Sequence, residues 1–199
     1  MKKYFIIILF LTIAGCSKQD SGELPFGNGS RYPHLTKTES NGLLVSWFEP
    51  VDSTIIGLFW SEFSNNEWLV KTLIYSSDHF FINWADFPSI FELNDSTLVS
   101  HWLEMSGKST YDYDVKVIHS TDRGKTWSEP ILPHRDGKHA EHGFVSFYKN
   151  ETHELEMVWL DGREMAGGHG HESAGDMNLY TTSFDRDFKQ RHDISLDAM

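Results

Sequence analysis

Three carboxylates stand in turn-rich stretches beside aromatic or cationic neighbours. They are Asp86 in Asn83-Trp84-Ala85-Asp86-Phe87-Pro88, Glu141 in His139-Ala140-Glu141-His142, and Asp161 in Trp159-Leu160-Asp161-Gly162-Arg163. Such neighbours shift carboxyl pKa values, and carboxyls with different pKa values can divide the work of acid and base. Cleaving a glycosidic bond needs that division: one carboxyl protonates the leaving oxygen while a second group acts as base or nucleophile. Arg135 and Arg163 offer forked guanidiniums for an acidic sugar's carboxylate, and Trp84, Tyr111 and Tyr113 offer flat faces for its apolar side. Further acids, Glu104, Asp112, Asp136 and Glu172, lie in the same stretches. A solvated loop surface carries the same residue types, so the scaffold must gather them before they amount to a site.

Two other chemistries are weaker. His169-Gly170-His171-Glu172, with His139 and His142, could supply imidazole and carboxylate ligands, but the spacing matches no zinc signature. Gly167, Gly168, Gly170 and Gly175 are not followed by Gly-Lys-Ser/Thr, so they make no phosphate cradle. The expected set therefore contains no metal and no cofactor.

The scaffold is legible in an internal repeat. Ser120-Thr121-Asp122-Arg123-Gly124-Lys125-Thr126-Trp127 follows an alternating apolar run and precedes Pro130, which reads as strand, tight turn, strand. Asp122 can accept from backbone amides two residues on, Gly124 can take φ > 0, and Trp127 can fold back to bury its ring. Ser61 to Trp68 repeats the Ser-to-Trp separation with Asn65 and Asn66 in the turn, and Ser183-Phe184-Asp185-Arg186 keeps Ser-x-Asp without the Gly and Trp. Upstream of each copy runs an apolar strand in which Trp47, Trp102 or Trp159 precedes an acid by two residues: Glu49, Glu104, Asp161. A polar turn and another apolar segment come before each. The unit is one four-stranded antiparallel blade, present three times.

Ser-x-Asp-x-Gly-x-Thr-Trp, with Ser120, Asp122, Gly124, Thr126 and Trp127 in place, resembles the Asp-box of sialidase-type (BNR-repeat) β-propellers. The resemblance implies an all-β fold, a partial propeller of about three blades belonging to a larger, six-bladed one, and it implies further blades beyond residue 199. Ser30-Arg31-Tyr32-Pro33 is similar to the Arg-Ile-Pro motif of sialidases, whose Arg grips the substrate carboxylate, with Tyr32 in place of Ile. That similarity implies a substrate-binding role for Arg31. The nucleophilic Tyr of sialidases, its partner Glu and the remaining arginines have no matched position in this chain. Residues 31–193 as a whole resemble a group of bacterial sialidase-like lipoproteins with Asn-Trp-Ala-Asp-Phe-Pro, His-Arg-Asp-Gly and Trp-Leu-Asp-Gly-Arg segments. The implied activity is exo-α-sialidase-type glycoside hydrolysis, and the alternative is a non-catalytic propeller binding glycan or protein at the cell surface.

Propeller connectivity then sorts the loops. The Asp-box turns and first-to-second strand turns share one face, while the longer connections 49–55, 76–88, 104–114, 129–143 and 161–177 share the other. Functional side chains concentrate on long loops held by a rigid scaffold. Asp86, Arg135, Glu141, Asp161 and Arg163 are therefore expected around one central depression, with Arg31 on the innermost strand pointing into it.

The chain of 199 residues carries a formal charge of −12, which disfavours nucleic acid and anionic membrane surfaces as partners. Lys2 and Lys3 precede an apolar run from Tyr4 to Ala14, too short to span a bilayer but suited to a secretory signal. Ile13-Ala14-Gly15-Cys16 resembles the bacterial lipobox, with a plain signal peptide as the alternative. The expected organisation is a signal over 1–15, a lipidated Cys16 and Gly-rich tether over 16–30, and the propeller from 31 to 199. The resemblance places the protein in the cell envelope, held through its lipid, with Ser17 suggesting the outer membrane. Cys16 is the only cysteine, so no disulfide or thiol nucleophile is available. Expressed with its signal, the chain is expected to incorporate labelled palmitate and partition into detergent, and Cys16→Ser to do neither. Unlabelled, detergent-independent wild type would contradict the lipobox reading.

Overall fold

The computed structural model describes residues 23–165 and 175–197. Among them are twelve strands, one 3₁₀ turn (Arg163–Met165) and no α-helix. The first sheet holds β1 (Arg31–Lys37), β2 (Leu43–Pro50) and β3 (Ile56–Ser64), with β4 (Glu67–Trp68) and β5 (Thr72–Ser77) both pairing with β3. The second holds β6 (Ser89–Glu92), β7 (Leu98–Met105) and β8 (Tyr113–Ser120). Its fourth strand is reduced to Ile131, which exchanges two backbone hydrogen bonds of 2.8 and 3.0 Å with Val117. Pro130 and Pro133 flank it and have no amide to donate, which accounts for the short pairing. The third sheet runs β9 (His142–Lys149), β10 (Leu155–Asp161), β11 (Asn178–Phe184) and β12 (Ile194–Ser195). All pairings between the strands are antiparallel. The chain is a partial β-propeller of three blades.

Side-chain alternation along the middle blade explains how the blades stack. On β7, Leu98 and Trp102 pack with Leu44, Phe48, Leu58, Trp60 and Ile74 of the first blade. Val99 and Leu103, on the opposite face of the same strand, pack with Leu155, Met157, Trp159 and Phe184 of the third. The innermost strands border a channel of about 340 Å³ lined by His34–Lys37, Ser89–Phe91 and Val145–Phe147.

The Asp-box turn differs in detail from the sequence expectation. Asp122 accepts from the Thr126 amide (2.9 Å) and hydroxyl (2.7 Å), four residues on. The nearer amides, those of Asp122 and Gly124, donate instead to the Ser120 hydroxyl, which itself donates to Asp122. Gly124, at φ +77°, turns the chain back, and the Trp60 ring of the first blade occupies the space above it. Trp127 is half-buried against the cluster between the first two blades. Arg123 donates to both oxygens of Glu62 (3.1 and 2.8 Å), to Glu92 (2.9 Å) and to the Asp95 carbonyl (2.8 Å). The box thus joins two blades through its Gly and its Arg as well as clipping its own hairpin.

The other two copies close differently. Asn65 and Asn66 both take positive φ, and Ser64 pairs with Glu67 across a two-residue hairpin. In the third blade Asp185 accepts the amides of Asp187 and Lys189, and Phe188 stacks on Phe184 (4.7 Å) and His119 (3.9 Å). Part of the expected tether is held on the first blade. Phe26 meets Trp47 edge-on, and Gly27 N–H and the Ser30 hydroxyl donate to Glu49.

A Cβ at Gly124 would lie 2.3 Å from the Trp60 ring, at a φ that side chains rarely adopt. Gly124→Ala is expected to lower stability by about 1–3 kcal/mol in chemical denaturation, a typical cost of overpacking. A variant as stable as wild type would mean that the two blades are not in contact there.

Candidate functional site on the long-loop face

The acid two residues after each buried tryptophan is the starting point. Trp159 Nε1 donates to Asp161 (2.8 Å), and Trp47 Nε1 donates to Glu49 (3.1 Å). In the middle blade Glu104 instead accepts from Ser77 (3.2 Å), and Trp102 Nε1 has no partner among the described residues. Each acid ends a second strand, so the repeat sets carboxylates at one end of the blades. Glu49 sits well below the usual range, at about 2: burial, the largest influence, raises it, but Lys71, Trp47, Ser30 and the Gly27 amide together outweigh burial.

In the third blade the same position is built more heavily. Asp161 is fully buried and accepts from Arg163 three times, at Nε (2.9 Å), Nη2 (2.7 Å) and the amide (2.9 Å). Arg163 also pairs with Asp193 (2.9 Å) and lies 3.8 Å over the Tyr180 ring. Burial opposes the charge of Asp161, but Arg163 and His142 hold its pKa below the ordinary value. Next to this pair, His134 and His142 stack with centroids 3.7 Å apart and planes within 6°. Asp136 receives both rings, at 3.3 Å from His134 Nδ1 and 3.2 Å from His142 Nε2.

A second group adjoins the first. Glu141 O accepts from the Gly162 amide (2.8 Å), which ties the 138–141 segment to the end of β10. The Glu141 carboxylate accepts from the Tyr113 hydroxyl at 2.5 Å. Tyr113 is buried and stacks on Phe81 at 4.0 Å, and burial followed by Glu141 raises its pKa. Asp86 closes the group. Asn83 accepts the amides of Ala85 and Asp86, which folds the 83–88 loop inward, and Asp86 accepts from Phe144 N–H at 2.6 Å. Phe144 has φ +54°, a strained value for a bulky residue, where an extra residue in β9 shifts the register. Burial lifts the Asp86 carboxyl to about 6, opposed by the Phe144 amide and assisted by the charge of Glu141. A carboxyl half protonated at about pH 6 still carries its proton in part of the molecules near neutrality and can donate it.

The structure therefore brings Asp86, Tyr113, Glu141, Asp161 and Arg163 to one face at the junction of the second and third blades. Arg163 and Asp161 are committed to each other. Trp84 (81% exposed) and Tyr111 (52%) present their rings to solvent, whereas Tyr113 is enclosed. Arg135 is exposed and donates to Gln190 (3.1 Å). Arg31 lines a different cavity, of about 310 Å³, with Phe26–Ser30, Pro33 and Trp47, and none of the three candidate carboxylates borders it. His139 is exposed, and His169, His171 and Glu172 lie outside the described residues. The short-turn face is not featureless: Glu39, Asn94, Thr121, Lys149, Asp185 and Phe188 are among the residues around a cavity of about 750 Å³ there. Residues that sequence reasoning passed over are His134 and Asp114, and the pairing of Tyr113 with Glu141. Spacing carries no sign of it, because the partners are 28 residues apart.

No family model and no curated protein matches the chain. Among solved structures it is similar to the GH93 α-L-arabinofuranosidase of Fusarium graminearum in complex with arabinobiose (15% identity, TM-score 0.54, 83% of this chain and 50% of that one). It is also similar to the Penicillium chrysogenum α-L-arabinanase complexed with arabinobiose (13%, 0.51, 80% and 49%). A third similar structure is an endo-1,4-β-xylanase from Bacteroides thetaiotaomicron (10%, 0.51, 88% and 63%). The chain spans about half the length of the first two. At these identities the likeness is one of fold, the β-propeller used by glycoside hydrolases.

Because the Asp86 pKa is about 6 when folded and near 3.8 when unfolded, the unfolded state releases its proton first as pH rises. Stability should fall between pH 4 and pH 6 and stay lower above that window, by on the order of 2–3 kcal/mol for a shift of that size. Asp86→Asn, whose amide oxygen can still accept from Phe144, should lose this fall in denaturation measured across pH 4–8. An unchanged profile would show that Asp86 is not held in a desolvated state.

Proposed function

We propose that this chain is part of a glycan-handling β-propeller of the sialidase-like kind, lipid-anchored in the cell envelope, with its chemistry on the long-loop face. The observation that carries this reading is the group formed by Asp86, Tyr113 and Glu141 on a fold shared with glycoside hydrolases. Asp86 is the proton donor to the leaving oxygen. Glu141, hydrogen-bonded to Tyr113, is the second carboxylate, serving as base or as the group that draws the phenolic proton when Tyr113 is drawn into the reaction. Trp84 and Tyr111 offer exposed rings for sugar faces beside this group. An acidic sugar, as an exo-α-sialidase would take, needs an accessible guanidinium, and Arg135, exposed and paired only with the neutral Gln190 amide, is the one in these loops.

A non-catalytic glycan-binding propeller is the second reading. It is favoured by the enclosure of Asp86, which is 8% exposed and already holds the Phe144 amide.

Purified chain incubated with arabino-oligosaccharides, xylo-oligosaccharides and sialyllactose separates these readings. Product release that falls ~10²-fold or more in Asp86→Asn, with binding within a few-fold of wild type, is the expected outcome. Binding without product in either protein supports the non-catalytic reading. Failure to bind any of the three glycans would overturn both.

A further inference from the structure

We propose that His142 is held as an imidazolium, a second buried cation beside Arg163, and that its charge positions the two candidate carboxyls of the long-loop face. The positioning role rests on the glycan reading, whereas the charge does not. His142 has no exposed surface. Its Nδ1 lies 3.2 Å from the Tyr113 carbonyl and 3.6 Å from Asp114 Oδ1. Its Nε2 lies 3.2 Å from Asp136 Oδ2 and 3.5 Å from Asp161 Oδ1. Both nitrogens therefore face only acceptors. A neutral imidazole has one N–H and would turn its other lone pair toward an oxygen, while the imidazolium donates from both sides.

Placing the shared proton on Asp136 instead would waste that carboxylate. Its Oδ1 already accepts from His134 Nδ1 (3.3 Å), and Arg163 Nε lies 3.8 Å from its Oδ2. Burial raises the Asp136 pKa, but His142 and His134 hold it below the ordinary value. The stack decides which ring is charged. His134 lies parallel to His142 with centroids 3.7 Å apart, and two like charges at that distance repel. His134 Nε2 has no hydrogen-bond partner among the described residues, and burial followed by the His142 charge lowers the His134 pKa. His134 is the neutral ring. The charge balance agrees, because Arg163 is shared among Asp136, Asp161 and Asp193, and Asp114 meets only the two imidazoles. Buried carboxylates in excess call for a further positive charge.

The place of His142 gives that charge its use. It opens β9 between Glu141, which accepts from the Tyr113 hydroxyl, and Phe144, whose amide holds Asp86. Nδ1–H ties this strand start to β8, and Nε2–H ties it to Asp136 and the Asp161–Arg163 pair. A neutral ring gives up one of these ties. His142 is thus a positioning residue for Asp86 and Glu141.

The test is NMR of the full chain with ¹⁵N-labelled histidine and ¹³C-labelled aspartate. At about pH 8 a solvated imidazole is neutral, yet His142 should show hydrogen on both ring nitrogens and His134 on Nδ1 alone. Asp136→Asn, checked for folding by circular dichroism, should leave His142 with a single ring N–H at that pH. It should also move the Asp86 carboxyl midpoint from about 6 toward the ordinary 3.8. His142→Gln, which removes the charge and keeps an amide donor, gives the same Asp86 readout if Asp136→Asn does not fold. A singly protonated His142 in wild type at that pH, or one unchanged in folded Asp136→Asn, would overturn the charge assignment. An Asp86 midpoint identical in wild type and folded variant would overturn the positioning role. Neither readout uses a glycan, so failure here is distinct from failure of the glycan reading.

Discussion

Asp161 has no surface in contact with solvent and remains ionised because Arg163, the Trp159 indole and the Arg163 amide converge on it. An unpaired carboxylate in such a place would cost several kcal/mol, so this interaction dictates much around it. It fixes the start of the 162–177 connection, and Gly162 then donates to Glu141, which keeps the neighbouring loop in reach. It also occupies Arg163 on both sides, between carboxylates and over Tyr180, so that the guanidinium acts as a keystone of the face. The first blade repeats the device with Glu49, Trp47 and Lys71, and uses it to hold the segment ahead of β1.

The three blades need one another for the same reason that the site needs them. Each strand of the middle blade buries opposite faces against two neighbours, so neither core cluster exists without the blade across from it. Asp86 belongs to the connection entering the second blade yet accepts from Phe144 in the third, and Tyr113 of the second blade donates to Glu141 at the entry to the third. The two carboxyls and the phenol are therefore positioned by blade packing rather than by any single loop. The Asp-box makes the matching contacts on the other face, through Trp60 over Gly124 and through Arg123.

Much of this organisation is legible in the chain because it is periodic. Strand alternation, the Ser-x-Asp turns and the tryptophan followed two residues later by an acid mark three blades, and the sorting of long loops to one face follows from connectivity. Asp86, Glu141 and Asp161 stand out by residue type and neighbourhood. The rest depends on contacts between distant segments. Arg123 looks like a filler position in the Asp-box, since its partners Glu62 and Glu92 are 61 and 31 residues away. His134 and His142 sit in a polar stretch with no metal-like spacing, and only folding stacks them. Arg31 shows the limit of motif matching: its place in the Arg-x-Pro pattern suggests a shared pocket, whereas the structure seats it with Gly27–Ser30 and Trp47. The cavity on the short-turn face is lined by residues of all three blades, brought together from turns far apart in the chain, so no local spacing announces it.

The central claim is that ligand meets the long-loop face, and the tryptophans report on it directly. Six of the seven, Trp47, Trp60, Trp68, Trp102, Trp127 and Trp159, are buried or half-buried, while Trp84 stands exposed beside Asp86. In ¹⁵N-indole NMR spectra titrated with arabino-oligosaccharide or sialyllactose, the Trp84 cross-peak should move in a saturable way while those of Trp60 and Trp127 stay fixed. Saturable shifts at Trp60 and Trp127 with Trp84 unmoved would place the ligand on the Asp-box face and contradict the account.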